Sequence, residues 1–196
     1  MADNANGASP GKDILRTEAF AKRDKLGKDW RHRAAEAIAE RVLELPELMR
    51  IQPIGSYWPI RSEVDTRPIL EGLTARGQVV ALSQIRHPHL SWREWHPGDT
   101  MVHGGFGVQE PGPDAPEVFP RALLMPLAAF DRLGNRLGYG KGHFDRTIAE
   151  LSRLHPVLTI GLAFSVQEID AVPIEPHDQP LDLIVTETGL IRPDES

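Results

Sequence analysis

The chain has 196 residues, a net charge of −6 and no cysteine, which excludes a disulfide-built fold, a thiolate metal site and the basic surface of a general nucleic-acid binder. Hydrophobic residues make up 40% of it, enough for the core of one globular domain. No apolar run approaches the roughly 20 residues of a membrane span, and the start, MADNANGASPGK, lacks the features of a secretory signal. We expect a cytoplasmic protein that binds neither nucleic acid nor a membrane.

Two helices are predicted near the start of the chain, after a disordered tail at residues 1–11 that is rich in small and polar residues. From Lys12 onward, apolar residues recur at helical spacing until Gly27 interrupts them. A second apolar stripe runs to Leu45, and Pro46 ends it. The single folded domain is expected to occupy residues 12–196.

A strand, a helix and a second strand are predicted next. The strands lie within residues 51–60 and 77–85, and the helix between them covers residues 67–77. This order is typical of a βαβ unit with parallel strands. Residues 83–121, which follow, are rich in Pro, Gly, His and Trp and predict a long irregular connection, with or without short strands.

The second half of the chain repeats the alternation of strands and helices. Residues 122–130, ALLMPLAAF, predict a buried strand, and a helix is predicted from His143 onward. The last strands are expected over 156–164 and 181–191, with a bend at 187–189. The fold class is therefore α/β: a single domain with a mainly parallel, Rossmann-like open sheet flanked by helices.

The stretch FDRLGNRLGYGKGHFDR, residues 130–146, holds four glycines and four Lys or Arg residues. Glycine lets backbone N–H groups approach a phosphate, and the helix that follows adds partial positive charge. The stretch matches neither the P-loop motif, which needs Ser or Thr at Gly142, nor GxGxxG, which needs glycine at His143. It predicts phosphate binding, with a solvated glycine-rich turn as the alternative. Asp145 is interpreted equally well as an acid favoured at a helix start or as a ligand of Mg²⁺.

The connection at residues 83–121 combines histidines with tryptophans: His87, His89, Trp92, Trp95, His96 and His103. A His-x-His pair is compatible with zinc, but the spacings match no common zinc module. A lid over the substrate, or packing within the loop, is the favoured interpretation.

The segment LLMPLAAFDRLGNRLGYGKGHFDR resembles the signature of the 5-formyltetrahydrofolate cyclo-ligase family. In that family, an apolar strand ending in Pro-x-x-x-Phe-Asp leads through Gly-x-Arg-Leu-Gly-x-Gly-x-Gly to an aromatic pair and Asp. Other segments resemble further blocks of the family in family order: KDILR, YWPIRSEVDTRPIL, FGVQEP and GLAFSVQEIDAVPIEPHDQPLDLIVTE. The resemblance spans Lys12 to about Glu187, which is nearly the whole chain.

The resemblance implies a ring closure that depends on ATP and Mg²⁺. The formyl oxygen of 5-formyltetrahydrofolate attacks the γ-phosphate, N10 closes on the activated carbon, and phosphate leaves to give 5,10-methenyltetrahydrofolate and ADP. The substrate is a small molecule, with or without a polyglutamate tail. The alternatives are a non-catalytic folate- or nucleotide-binding paralogue and a ligase for another formylated or carboxylated substrate.

The resemblance also implies which residues bind the nucleotide. Lys12 and Arg16 would reach it from the first helix, where the spacing i, i+4 points both side chains the same way. Lys141 and Arg136 would be catalytic, because they neutralise phosphate charge. The main nucleotide-binding segment would be Arg136, Leu137, Gly138, Tyr139, Gly140, Lys141, Gly142, His143 and Phe144.

The metal and the folate are assigned by the same resemblance. Asp145 and Asp178 match the magnesium ligands of the family, with Asp182 as the fallback. Trp58 and Glu63 match its folate-contacting positions, where a carboxylate suits the N–H groups of a pterin. The alternatives are core packing for Trp58 and, for the nearby Asp65, a cap on the helix that follows.

The chain departs from the family pattern at one place. Where the family has two tyrosines or a close variant, this chain has His143 and Phe144. The missing hydroxyl at Phe144 removes a potential hydrogen bond worth about 1 kcal/mol. We expect this to change affinity without abolishing the chemistry.

Overall fold

The computed structural model describes residues 10–86, 89–175 and 178–193. The helices within these residues are α1 (Pro10–Asp24), α2 (Lys28–Leu43), α3 (Arg67–Ala75) and α4 (His143–Leu151), with short 3-10 helices at Pro46–Arg50, Gly105–Gly107 and Ser165–Gln167. The strands are β1 (Ile54–Ser56), β2 (Val80–Arg86), β3 (His89–Glu94), β4 (Met101–His103), β5 (Gln109–Pro111), β6 (Ala122–Pro126), β7 (Ala129–Phe130), β8 (Arg136–Leu137), β9 (Leu158–Leu162), β10 (Leu183–Val185) and β11 (Leu190–Ile191).

Seven of these strands form one sheet within the described part of the chain, in the order β11-β10-β9-β6-β1-β2-β3. Neighbours from β10 to β2 run parallel, whereas the edge strands β11 and β3 are antiparallel to their neighbours. The chain passes from β1 to β2 on one side and later returns to β6 on the other side of β1. Strand order therefore reverses between β1 and β6, which is where open α/β sheets bind ligands. The predicted α/β domain with a mainly parallel sheet is confirmed.

Helices cover both faces of the sheet, and this explains why the central strands are apolar on both sides. On one face α2 and α3 pack against β1, β2 and β6 in a single core cluster. On the other face α4 contributes Ile148 and Leu151 to a cluster with Trp92 and Phe130. In β6, residues 122–125 are fully buried. Each such Leu or Met side chain contributes about 1.5–3 kcal/mol of hydrophobic free energy.

Two predicted boundaries are corrected by the structure. Helix α1 begins at Pro10 rather than Lys12, consistent with the preference of proline for the first helical turn; residues 1–9 of the predicted tail lie outside the described residues. The strand predicted over 122–130 leaves the sheet after Pro126, and β7 pairs with β8 instead. There Gln167 Nε2 donates hydrogen bonds to the carbonyls of Leu127 and Ala128, at 2.7 and 3.0 Å, which replace the bonds of a strand neighbour.

Strands β3, β4 and β5 lie within residues 83–121, which were predicted as a long irregular connection with or without short strands. β3 pairs antiparallel with β2 along the sheet edge, and β4 and β5 form a separate hairpin. The reason is packing: Trp92 of β3 is 2% exposed and lies in the core under α4. The predicted bend before the last strand is also present, as a turn over Thr186–Gly189.

None of the helices within the described ranges has the length and the apolar character that crossing a membrane requires.

Gly55 is the position in β1 where the packing leaves no room for a side chain. A Cβ atom there would lie 2.8 Å from Cε3 and Cζ3 of Trp92 and from Cγ of Pro120, which are rigid rings. We expect Gly55→Ala to lower the free energy of unfolding by about 1–3 kcal/mol through overpacking, measured by urea denaturation. Gly189→Ala is the matched control, since no heavy atom lies within 4 Å of its Cβ. Equal stability of the two variants would contradict this account of the β1 packing.

Candidate active site

A cleft of about 930 Å³ lies at the carboxyl ends of β1 and β6, the point where strand order reverses. Several parts of the chain line it, among them α1, the segment after β1, strands β2 and β3, the β4–β5 hairpin, the glycine-rich segment and the region of Glu175 and Asp178. Since these parts are distant in sequence, the cleft is a product of the tertiary fold. Nearly all the predicted site residues line it: Lys12, Arg16, Trp58, Glu63, Arg136, Leu137, Gly138, Tyr139, Gly140, Lys141, Gly142, His143, Phe144, Asp145 and Asp178.

The glycine-rich segment runs from β8 to the first turn of α4 along the cleft. Gly140 has φ +82° and Gly142 has φ +61°, a conformation that glycine adopts without the steric cost that other residues meet. Gly142 is the N-cap of α4. The backbone N–H groups of the first turn of a helix lack partners within the helix. The cleft therefore has at one end the combination of bare backbone and helix N-terminus that suits phosphate.

Two buried cations in this half of the cleft are paired with the carboxylates predicted to bind metal. The Lys12 ammonium lies 2.7 Å from Asp178 Oδ2 and 3.2 Å from Glu175 Oε2. Arg136 Nη2 lies 2.5 Å from Asp145 Oδ1. Both cationic side chains are only 7% exposed. Burial lowers the pKa of Arg136, and the negative charges of Asp145 and Asp178 oppose that shift.

Lys141 and Arg16 are held differently from these two cations. The Lys141 side chain is exposed at the cleft, and its ammonium has no hydrogen-bond or ion-pair partner among the residues that the structure describes, while its backbone carbonyl accepts a hydrogen bond from Arg146. Arg16 donates from Nε to the carbonyl of Gly138 at 2.9 Å and pairs with Asp13. Its guanidinium also lies under Gly140, where an added Cβ would be 3.2 Å from Cζ. Arg16 thus holds the glycine-rich segment through the Gly138 carbonyl, whereas the Lys141 ammonium is available to bind an anion in the cleft.

The other half of the cleft is aromatic and contains the carboxylate of Glu63. Its Oε2 accepts a hydrogen bond from the backbone N–H of Ile60 at 2.9 Å, and its Oε1 accepts one from the Tyr139 hydroxyl. Burial raises the pKa of Glu63, and these two hydrogen bonds oppose the rise. Trp58 packs edge-on against Trp95, with ring centroids 6.1 Å apart, and still lines the cleft.

Arg23 supports this half of the cleft, and the sequence analysis missed it. It is 2% exposed and donates to Ser62 Oγ, to the Leu127 carbonyl and to the Tyr139 hydroxyl at 3.0, 3.3 and 3.1 Å. One signal was available in the sequence: Arg23 continues the helical stripe that contains Lys12, Arg16 and Ala19. A cation that extends a stripe of site residues belongs to the same face.

Glu110 is a second functional candidate without an assigned role. It comes from the FGVQEP segment, is 3% exposed and lines the cleft. Its Oε1 accepts from the backbone N–H of Ile85 at 3.3 Å, and its Oε2 lies 3.6 Å from Arg86 Nη1. Gly104 must lack a side chain, because a Cβ there would lie 2.1 Å from Glu110 Cδ.

Two aspartates of the sequence analysis serve the fold. Asp182, the fallback metal ligand, does not line the cleft; its Oδ2 accepts from the backbone N–H and the hydroxyl of Thr159, both at 2.7 Å. It therefore ties the start of β10 to β9. Asp65 accepts from the backbone N–H of Arg67, the first residue of α3, at 3.1 Å, whereas the N-cap residue is Thr66 and its side chain makes no capping bond.

The His/Trp-rich region divides between core and surface. Trp92 and Trp95 are buried, in agreement with packing inside the loop. His89 Nδ1 lies 3.0 Å from Glu150, and His96 lies beside Glu94. Among the described residues, no three or more ligating side chains are grouped so as to hold a metal; His87 lies outside them. Phe144 packs against Trp92, with ring centroids 6.3 Å apart, and also lines the cleft.

Known proteins resemble this chain over almost its full length. A 5-formyltetrahydrofolate cyclo-ligase of Haemophilus influenzae is 31% identical over 180 residues, 87% of this chain and 95% of the relative. The enzyme of the same name from Escherichia coli is 29% identical over 173 residues, 84% and 94% of the two chains.

Two solved structures are also similar to this chain. A 5,10-methenyltetrahydrofolate synthetase of Aquifex aeolicus superposes with a TM-score of 0.82 at 29% identity and covers 94% of each chain. One from Mycoplasma pneumoniae, with a TM-score of 0.72 at 24% identity, covers 90% of this chain and 98% of its own and shares the fold. The family model described as the 5-formyltetrahydrofolate cyclo-ligase family matches residues 8–187. The chain therefore belongs to the 5-formyltetrahydrofolate cyclo-ligase family.

Proposed function

We propose that this protein is a cytoplasmic enzyme that converts 5-formyltetrahydrofolate to 5,10-methenyltetrahydrofolate and splits ATP to ADP and phosphate with Mg²⁺. The observation that carries the proposal is one continuous cleft with two different halves. One half offers bare glycine backbone, a helix N-terminus and cations, and the other offers aromatic rings around a carboxylate. A nucleotide and a flat heterocycle bound in these halves would meet in the middle. The names of the relatives at 31% and 29% identity support the same activity.

The nucleotide half suits a triphosphate because it supplies donors without requiring any covalent chemistry from the protein. The backbone N–H groups of Gly138–Gly142 and of the first turn of α4 would donate hydrogen bonds to the phosphate oxygens. The free ammonium of Lys141 would neutralise the negative charge that develops on the phosphoryl oxygens during transfer. Tyr139 and His143 lie in the same segment. The role of this half is to hold the γ-phosphate close to its acceptor oxygen.

The carboxylates of the cleft fit Mg²⁺. Asp145 and Asp178 offer oxygen ligands, which hard cations prefer. Among the described residues, no group of three or more ligating side chains could bind a metal alone. Phosphate oxygens would therefore have to complete the coordination of Mg²⁺, which is the usual arrangement when the ion binds together with a nucleotide. The ion, when bound, would neutralise charge on the phosphates.

Binding would then exchange the partners of two existing ion pairs. Lys12 now pairs with Asp178, and Arg136 with Asp145. With the magnesium nucleotide present, the cations would turn to phosphate oxygens and the carboxylates to the metal. No buried charge would be left without a partner at either stage, which avoids a cost of several kcal/mol.

The folate half would orient the pterin by its polar edge and its faces. Each Glu63 oxygen accepts one hydrogen bond from the protein and retains capacity to accept another from pterin N–H groups. Trp58 would lie against the ring. In this pose the formyl oxygen attacks the γ-phosphorus and ADP leaves. N10 then attacks the formyl carbon, phosphate leaves, and the N10 proton is released.

Turnover is the direct test. Purified protein with Mg²⁺-ATP and (6S)-5-formyltetrahydrofolate should develop the near-ultraviolet absorbance of the methenyl product, and reactions without ATP or with EDTA should not. Binding of both ligands without product would identify a non-catalytic paralogue. ATP hydrolysis that needs a different formylated or carboxylated acceptor would identify another ligase.

Lys141→Ala should lower kcat about 100-fold or more, because it removes a positive charge that matters most while the phosphoryl group moves. The rate of methenyl formation at saturating substrates measures the effect. Lys25→Ala is the matched control, since Lys25 is exposed and lies outside the cleft. Wild-type kinetics for Lys141→Ala would contradict the phosphate role of this segment.

Mg²⁺ should tighten the binding of ADP, and the Mg²⁺ concentration that gives half of this effect is the quantity to measure. Asp145→Asn and Asp178→Asn should each raise this concentration about 10-fold, because an amide is a much weaker metal ligand than a carboxylate. Calorimetric titrations with Mg²⁺ and with EDTA separate this effect from changes in metal-free binding. Asp114→Asn, exposed and outside the cleft, should leave the Mg²⁺ dependence unchanged. If all three variants behave alike, the metal ligands lie elsewhere.

A further inference from the structure

Tyr139 belongs to the glycine-rich segment, but its side chain reaches the folate half of the cleft. The ring packs against Phe20 of α1, with centroids 5.0 Å apart. The hydroxyl contacts Glu63 and Arg23, both distant in sequence. The flanking Gly138 is held through its carbonyl by Arg16. The segment is therefore held at two points: Arg16 of α1 binds its backbone, and the Tyr139 side chain binds the Glu63 carboxylate.

The direction of the two hydroxyl hydrogen bonds follows from the partners. Arg23 has only donors, so the Tyr139 oxygen must accept from its Nη2, at 3.1 Å. The single hydroxyl proton is then directed to Glu63 Oε1. Burial and the nearby Glu63 charge raise the pKa of Tyr139, so the hydroxyl keeps this proton and remains a donor. Arg23 is itself fixed by Ser62 and Leu127.

These donors favour the charged form of Glu63 against the effect of burial. Burial is the largest influence on its pKa and raises it; the opposing groups are the Tyr139 hydroxyl, the Ile60 N–H, and the charges of Arg23 on α1 and Arg61 on its own loop. The neighbouring Tyr57 also faces this carboxylate, but its hydroxyl donates to the Val64 carbonyl at 3.2 Å. Tyr139 is thus the hydroxyl donor that the glycine-rich segment contributes to Glu63.

We propose that Tyr139 is a positioning residue for folate binding: its hydroxyl holds Glu63 ionised and fixed in the cleft, ready to accept hydrogen bonds from the pterin. The inference rests on the proposed function, because it takes the pterin as the group that Glu63 binds. It also gives the glycine-rich segment a second task. The same short segment would bind phosphate through its backbone N–H groups and, through the Tyr139 side chain, orient the Glu63 carboxylate that binds the pterin.

The sign of the pH effect follows from these contacts. The Tyr139 hydrogen bond favours the charged form of Glu63, so its removal raises the pKa of Glu63 further. If folate binding needs the ionised Glu63 carboxylate, the affinity is high above the pKa of Glu63 and falls as the pH drops through that pKa. In a variant without the hydroxyl, the loss therefore begins at a higher pH. For a hydrogen bond to a charged group, the expected displacement is about one pH unit.

The test is the pH dependence of 5-formyltetrahydrofolate affinity without nucleotide, measured by calorimetry for wild type and Tyr139→Phe. The Phe ring keeps the packing on Phe20, and the acid limb of affinity should move up by about one pH unit. Tyr139→Met, which removes the hydroxyl with a different side chain, should reproduce the shift. Tyr57→Phe, the matched control, removes a hydroxyl that does not donate to Glu63 and should leave the limb in place.

A Glu63→Gln background adds the decisive comparison. There the acid limb should be absent, and adding Tyr139→Phe should produce no shift. Identical limbs for wild type and Tyr139→Phe, or equal shifts for Tyr139→Phe and Tyr57→Phe, overturn the inference while leaving the proposed function intact. Failure of wild type both to bind 5-formyltetrahydrofolate and to form the methenyl product overturns the proposed function, and this inference with it.

Discussion

The parallel pairing of β1 with β6 is the constraint on which the site depends. Ile54 and Gly55 lie opposite Ala122 and Leu123, so both strands end at the same edge of the sheet. The segment after β1 brings Trp58 and Glu63 to that edge, and the chain after β6 brings the glycine-rich segment. Burial of β6 and the close contact of Gly55 with the Trp92 ring hold this register. A slip by one residue would turn every buried side chain of a strand to the opposite face.

Charge compensation explains how the cleft tolerates its cations. Lys12 and Arg136 are almost fully buried, and a buried charge without a partner destabilises a protein by several kcal/mol. Asp178 and Asp145 supply the partners. Arg23 has a different solution, since three uncharged oxygen atoms accept its hydrogen bonds. It thereby connects α1, the segment after β1, the end of β6 and the glycine-rich segment, and it holds together the aromatic half of the cleft.

Local sequence was informative wherever local physics decides the outcome. The apolar run 122–125 predicted a buried strand, and Gly142 before His143 marked the start of α4. Less was predictable where long-range contacts decide. The strand after Pro126 was placed wrongly because Gln167, about 40 residues away, provides the hydrogen bonds there. Asp182 was the fallback metal ligand implied by the resemblance, but its carboxylate accepts hydrogen bonds from Thr159 of β9.

The sequence by itself determined the α/β class and, through resemblance, the family, and it predicted a phosphate-binding role for residues 130–146. These follow from periodicity, glycine placement and residue identity, which are properties of short segments. Only the tertiary structure decided which polar side chains meet: Lys12 with Asp178, and Tyr139 with Glu63. The reason is physical, because a side chain's protonation and direction depend on burial and on partners from other elements. Those partners come together only when the strands pair and the helices pack on both faces of the sheet.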